Sequence, residues 1–127
     1  MVNKAQLKLS KEERYLLYAL GKSYQSFNKQ FSNKPLAVSI SKVVFIDLLI
    51  SSKSVNKKER AIYKNLEALE SKRFIKYKNK ELSFTKKGFK EFKKVDKNIT
   101  NYVELINHIQ NPRTISIHKK IQTKLKQ

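Results

Sequence analysis

Leu69 to Gly88 reads LESKRFIKYKNKELSFTKKG. Two short runs of alternating character, FIKYK and ELSFT, flank the polar pair Asn79-Lys80. Apolar-polar alternation marks strands with one buried face, and asparagine tolerates the positive φ that a two-residue turn demands. The stretch predicts a small β-hairpin. Phe74, Leu82, Phe84 and either Ile75 or Tyr77 supply its inward contacts, while Lys76, Lys78 and Lys80 project outward. Thr85 is placed to cap a helix that follows. A chain with only two glycines thus builds a tight hairpin and sets lysine at nearly every outward position, which asks for a reason.

Upstream, SVNKKERAIYKNLEALESK holds Ile62, Leu66 and Leu69 at i, i+4 and i+7, one apolar face of a helix. The opposite face carries Lys57, Arg60, Ala61, Lys64 and Ser71, with Lys58 beside them. The basic residues crowd the first two turns, where the positive end of the helix dipole disfavours cations. A surface meant for phosphate would explain that cost. Before it, KVVFIDLLISS is either a short helix capped by Ser41 or a buried strand, and the helix is preferred. PLAVSIS reads as a short extended segment. Nearer the N-terminus, Ser10 and Glu13 form a capping-box pattern. Leu17, Leu20, Tyr24, Phe27 and Phe31 then keep one helical face apolar until Asn33-Lys34-Pro35 ends it. Gly21 is a mild blemish in that helix.

Downstream, a helix is predicted from about Lys86 to Asn111, where Pro112 stops it. Phe92, Val95, Ile99, Tyr102, Ile106 and Ile109 alternate spacings of three and four, a heptad seam that requires a partner. The first helix of the same chain could mask it; pairing with a second copy is the preferred reading. The tail RTISIHKKIQTKLKQ is basic, either a short extra helix or disordered. The expected organisation is an N-terminal arm (1–9), a core domain (10–88) bearing the basic helix and hairpin, a dimerisation helix (89–111) and a basic tail (112–127).

The 127 residues suffice for one core. The absence of cysteine excludes disulfides and thiolate metal sites and suits a reducing compartment. MVNKAQLKLSKEER lacks the apolar stretch of a signal peptide, and VVFIDLLI is too short to cross a bilayer. A net charge of +19 calls for a polyanionic partner, unless codon bias in an AT-rich genome accounts for it. The charge is uneven. Residues 56–88 hold eleven Lys or Arg against four Asp or Glu, and residues 111–127 hold five basic residues and no acid, whereas 89–110 are nearly balanced. Such gathering favours a footprint over uniform bias. Catalysis is not expected: His108 and His118 have no carboxylate or second histidine at metal-ligand spacing, and no glycine-rich phosphate loop occurs. Asp47, within its apolar run, is either a buried functional acid or an exposed helix position, and the exposed position is preferred. No cofactor, metal or small-molecule ligand is indicated.

The order helix, short strand, helix, helix, hairpin, long helix resembles the winged helix-turn-helix regulators. The nearest resemblance is to MarR-like proteins and to archaeal winged-helix proteins that dimerise through a terminal coiled coil. Leu66, Leu69, Phe74 and Ile75 match the pattern that leads the recognition helix into the wing, and Phe84, Thr85, Lys87 and Gly88 match the motif that closes it. The resemblance covers about residues 41–90. It departs at Arg73, which stands where the family has a glycine, so the turn there is expected to form without positive-φ freedom. It departs again at the hairpin tip, where lysines replace arginine and minor-groove insertion is not expected.

The resemblance implies a mainly α fold with a small β-hairpin, a winged helix between long N- and C-terminal helices. It implies a dimer on double-stranded DNA, cytoplasmic and nucleoid-associated. Lys57, Lys58, Arg60, Ala61 and Lys64 would face the major groove, and Lys76, Lys78 and Lys80 the phosphates. The seam from Phe92 to Ile109 would join two copies. Transcriptional regulation is the first expectation. An architectural protein of low sequence specificity, or a winged-helix interaction module, is the alternative. Lysine outnumbers arginine, present only as Arg14, Arg60, Arg73 and Arg113, and only arginine offers guanine a bidentate fork.

Overall fold

The structure, a computed structural model, describes residues 8–52 and 59–111. It is mainly helical with one small antiparallel sheet. In chain order the elements are α1 (Lys11–Phe27), two short 3₁₀ helices (Lys29–Ser32 and Pro35–Ala37), β1 (Ser39–Ser41), α2 (Lys42–Ser51), α3 (Glu59–Ser71), β2 (Ile75–Lys78), β3 (Glu81–Phe84) and α4 (Lys86–Gln110). A compact unit ends at Val95, and a second begins at Asp96.

α1 starts as its sequence dictates. The Ser10 hydroxyl accepts from the Glu13 amide (3.1 Å), and the Glu13 carboxylate accepts from the Ser10 amide (3.3 Å), so two orphan amides are satisfied together. The helix ends at Phe27, well before Pro35. Asn28 turns extended (φ −144°, ψ 110°) and its side-chain oxygen accepts from the Gln30 amide at 2.9 Å, a local bond that competes with the helical ladder. Phe27 is consequently 70% exposed rather than part of the buried face, while Phe31 reaches the core from the 3₁₀ helix.

KVVFIDLLIS is a helix, α2, and the Ser41 hydroxyl accepts from the Val44 amide (3.4 Å). Only the second half of PLAVSIS is extended, and it adds a third strand to the expected pair. The order is β1-β3-β2, with Ile40 opposite Leu82 and Tyr77 opposite Leu82 on the other side. Asn79 (φ 53°) and Lys80 (φ 64°) form the two-residue turn, both in the left-handed region that type I′ geometry requires.

The α3–β2 corner forms differently from the sequence-based expectation. Arg73 adopts φ 65°, the conformation a glycine would have taken at no steric cost. A Schellman motif holds it there: the Phe74 amide bonds the Leu69 carbonyl and the Arg73 amide bonds the Glu70 carbonyl, each at 2.9 Å. Leu69 and Phe74 are both buried.

The core is aromatic at its centre. Tyr24 meets Phe84 edge-on (ring centroids 5.3 Å apart), Phe84 stacks on Phe92 (5.5 Å), and Phe31 lies 6.0 Å from Phe92, arrangements that add to their area burial. The Tyr24 hydroxyl donates to the Leu82 carbonyl, tying α1 to the central strand. Burial, and after it the Glu81 carboxylate, push the Tyr24 phenol well above the usual tyrosine range.

Phe92 corrects the expected seam. It is 1% exposed, and a Cβ on Gly21 would come within 2.1 Å of its ring. Gly21 therefore leaves space for Phe92 and is no blemish. Phe89 also packs on the core, so the first turns of α4 belong to the compact unit and not to a dimerisation helix beginning at residue 89.

Candidate nucleic-acid interface

The hairpin is anchored by the residues that follow it. Thr85 Oγ1 accepts from the Gly88 amide (3.0 Å), capping α4, and donates toward the carbonyls of Arg73 (2.6 Å) and Phe74 (3.1 Å). The Thr85 amide donates to Phe74 as well (3.3 Å). Gly88 lies so close to this strand that an added Cβ would sit 1.7 Å from the Phe74 carbonyl oxygen; any other residue needs the backbone to move. Lys87 Nζ donates to the Lys72 carbonyl (3.1 Å) and lies 4.4 Å over the Phe74 ring. Phe84 is buried in the core. Phe84, Thr85, Lys87 and Gly88 together weld the end of β3 to the end of α3.

On this welded base the hairpin carries two different faces. Ile75 and Leu82 with Phe84 are buried, and by the alternation of a strand Tyr77 shares their side. Lys76 and Lys78 are exposed on the other side, in register with Ser83 and Glu81. Lys80 is exposed in the turn, and its carbonyl accepts from the Lys42 amide (3.0 Å). Glu81, opposite Lys78, accepts from the Ser39 hydroxyl at 2.7 Å.

On α3, Ile62, Leu66 and Leu69 are buried as their spacing predicts. Arg60 and Lys64 are exposed, and Ala61 and Tyr63 are partly covered. At 100° per residue Arg60, Tyr63, Lys64 and Glu67 share a face; Glu59 and Glu67, also exposed, dilute its positive charge. Lys57 and Lys58 lie outside the described residues.

α3 and the hairpin meet at a residue that sequence reasoning missed. Lys42, the first residue of α2, places its ammonium 5.1 Å from the Tyr63 ring centroid and 4.5 Å from that of Tyr77. No spacing rule could have found this contact, because Lys42, Tyr63 and Tyr77 come from three elements. Through Tyr63 and Tyr77, Lys42 thus links the exposed face of α3 to the hairpin strand that carries Lys76 and Lys78.

Other lysines in the basic stretch are engaged internally. Lys72 Nζ lies 2.7 Å from the Glu13 carboxylate and 3.1 Å from the Lys8 carbonyl. Burial would raise the Glu13 carboxyl, but the Lys72 ammonium and the hydrogen bonds from Ser10 outweigh it and hold it below the ordinary carboxylate range. The pair joins the start of α1 to the end of α3.

The seam residues beyond Val95 lie in the second unit. Ile99 is partly covered, while Tyr102 (68%), Ile106 (51%) and Ile109 (57%) are exposed, as are Val103 and Leu105. Val95 is partly covered at the end of the first unit. The tail from 112 lies outside the described residues, as do residues 1–7 of the expected arm. Asp47 is exposed on α2.

Among the described residues no cluster of His, Asp and Glu could hold a metal ion, and no helix is long and apolar enough to cross a membrane. No protein-family model, curated protein or solved structure matches the chain.

Proposed function

We propose that the protein binds double-stranded DNA as a winged helix-turn-helix dimer, with α3 as recognition helix and β2–β3 as wing. The observation that carries the reading is the adjacency of two basic elements on a rigid base. The exposed Arg60 and Lys64 of α3 and the lysine-bearing hairpin are locked together by the Thr85–Gly88 corner and by Lys42. The three-stranded order and the helix preceding α3 are compatible with that architecture. In it, α3 would present its early residues to base edges in the major groove, and Lys76, Lys78 and Lys80 would follow the phosphates. The net charge of +19 supplies long-range attraction. The exposed Tyr102, Ile106 and Ile109 support pairing with a second copy, which would set two recognition helices about 34 Å apart. We place the protein in the cytoplasm, on the nucleoid, as a transcriptional regulator.

One observation favours a less specific, architectural role. Arg60 is the only arginine on the exposed part of α3, and lysine reads guanine only as a point charge.

The deciding experiment is titration of a random-sequence duplex across salt, with wild type beside a variant carrying Arg60→Ala and Lys64→Ala. With about 6–10 phosphates engaged, wild-type affinity falls by roughly 10³–10⁵ between about 50 and 200 mM salt, and the variant binds more weakly throughout. Absence of binding at moderate salt refutes the reading. Competition between selected and random duplexes then separates regulator from architectural protein.

A further inference from the structure

Resting on the DNA-binding reading, we propose that Lys42 is a phosphate-contacting residue of the interface, held at the junction of α3 and the hairpin by Tyr63 and Tyr77.

Three observations carry it. The Lys42 ammonium faces two aromatic rings, 4.5 and 5.1 Å away, on two different elements. Ring faces attract a cation without neutralising it, so its full charge stays available to an anion. Among the described residues no carboxylate pairs with it, in contrast to Lys72 on Glu13. Lys42 is also a cation in the first turn of α2, where the helix dipole disfavours it, and that turn holds no acidic residue to offset the cost.

The position fits a backbone contact better than a base contact. Lys42 is half-buried and its amide is fastened to the turn carbonyl of Lys80 (3.0 Å), so its ammonium has little reach into a groove. It lies where a strand passing between an α3 in the groove and a hairpin beside it would bring its phosphates. A lysine already fixed by two rings loses less side-chain entropy on binding than the free lysines of the hairpin. Tyr63 and Tyr77 act as positioning residues.

The competing role is a purely structural latch, with Lys42 joining α2 to the hairpin and touching nothing else. Lys42→Met keeps the aliphatic stem between the rings and removes the charge; Lys42→Arg keeps both. Lys29→Gln, an exposed lysine in the 3₁₀ helix after α1, serves as a control for loss of one charge. Binding to a random-sequence duplex is measured across salt for each, together with thermal melting. The proposal expects Lys42→Met to lower the salt slope by about 0.9 per bound chain, with a uniform affinity loss on the order of tenfold, and Lys42→Arg to restore the slope. Lys29→Gln leaves the slope unchanged. A Lys42→Met protein that melts lower but keeps the wild-type slope is a latch, and the proposal fails while DNA binding stands. A slope lowered equally by Lys29→Gln also overturns it, since charge and not position would then be responsible. If wild type does not bind the duplex, both readings fall together.

Discussion

The first turns of α4 and its last turns carry the same apolar spacing and meet different fates. Phe92 is sealed beneath Gly21 of α1, among Phe31 and Phe84. Tyr102, Ile106 and Ile109 continue that spacing with more than half of their surface exposed. A heptad pattern therefore states that a face needs covering, without stating which molecule covers it. What separates the two ends is a feature of another helix: Gly21 removes a side chain opposite Phe92 and lets the aromatic ring enter.

The largest effect should come from the sealed end. Phe92→Ala removes an aromatic ring from a packed core and should cost about 3–5 kcal/mol, read as a fall in melting temperature or denaturant midpoint; a loss below about 1 kcal/mol would mean that this end is as unpartnered as the other. Gly88→Ala attacks the same end through the backbone, forcing a Cβ against the Phe74 carbonyl, and should cost roughly 3 kcal/mol. The exposed end should respond otherwise. Ile106→Asp combined with Ile109→Asp should leave the unfolding of the compact unit within about 0.5 kcal/mol while shifting the mass in solution from dimer to monomer by light scattering. An unchanged mass would remove the second copy as the covering partner.

Smaller effects test how the compact unit is closed. Folding lowers the Glu13 carboxyl below its ordinary glutamate value. The stabilisation from its pair with Lys72 is therefore complete above that range and is lost as pH falls through the folded value. Lys72 is partly exposed and can regain water once its partner is gone, so Glu13→Gln should cost only about 1–2 kcal/mol near neutrality. The cost should shrink in acid, and urea midpoints measured between neutral and acid pH check both the size and the sign. Smallest, and opposite in direction, Arg73→Gly should stabilise by roughly 0.5–1 kcal/mol, because the left-handed φ of 65° then carries no Cβ penalty.

Much of this molecule was legible in local pattern. The capping box of Ser10 and Glu13, the apolar face of α3, the Asn79-Lys80 turn and the cap by Thr85 each depend on residues within a few positions of one another, and the structure has them all. The α2 ambiguity resolved to a helix, with Ser41 bonding the Val44 amide. Local reading failed where a side chain chose a short-range bond over the helix, at Asn28. It failed again where backbone hydrogen bonds imposed an unfavoured conformation, at Arg73. In the candidate interface the outward lysines of the hairpin and the exposed Arg60 and Lys64 could be read from periodicity, but Lys42 could not.

Periodicity, caps and turn chemistry settle which segments are helix or strand, because those preferences act over one or two turns of chain. They also settle where the positive charge gathers. Tertiary packing alone decided that β1 joins β3, that Gly21 and Gly88 are contact glycines, that Phe92 is core, and that Lys42 bridges Tyr63 and Tyr77. Each of these depends on atoms brought together from distant parts of the chain, where the deciding quantity is the space between two surfaces and not the preference of either one.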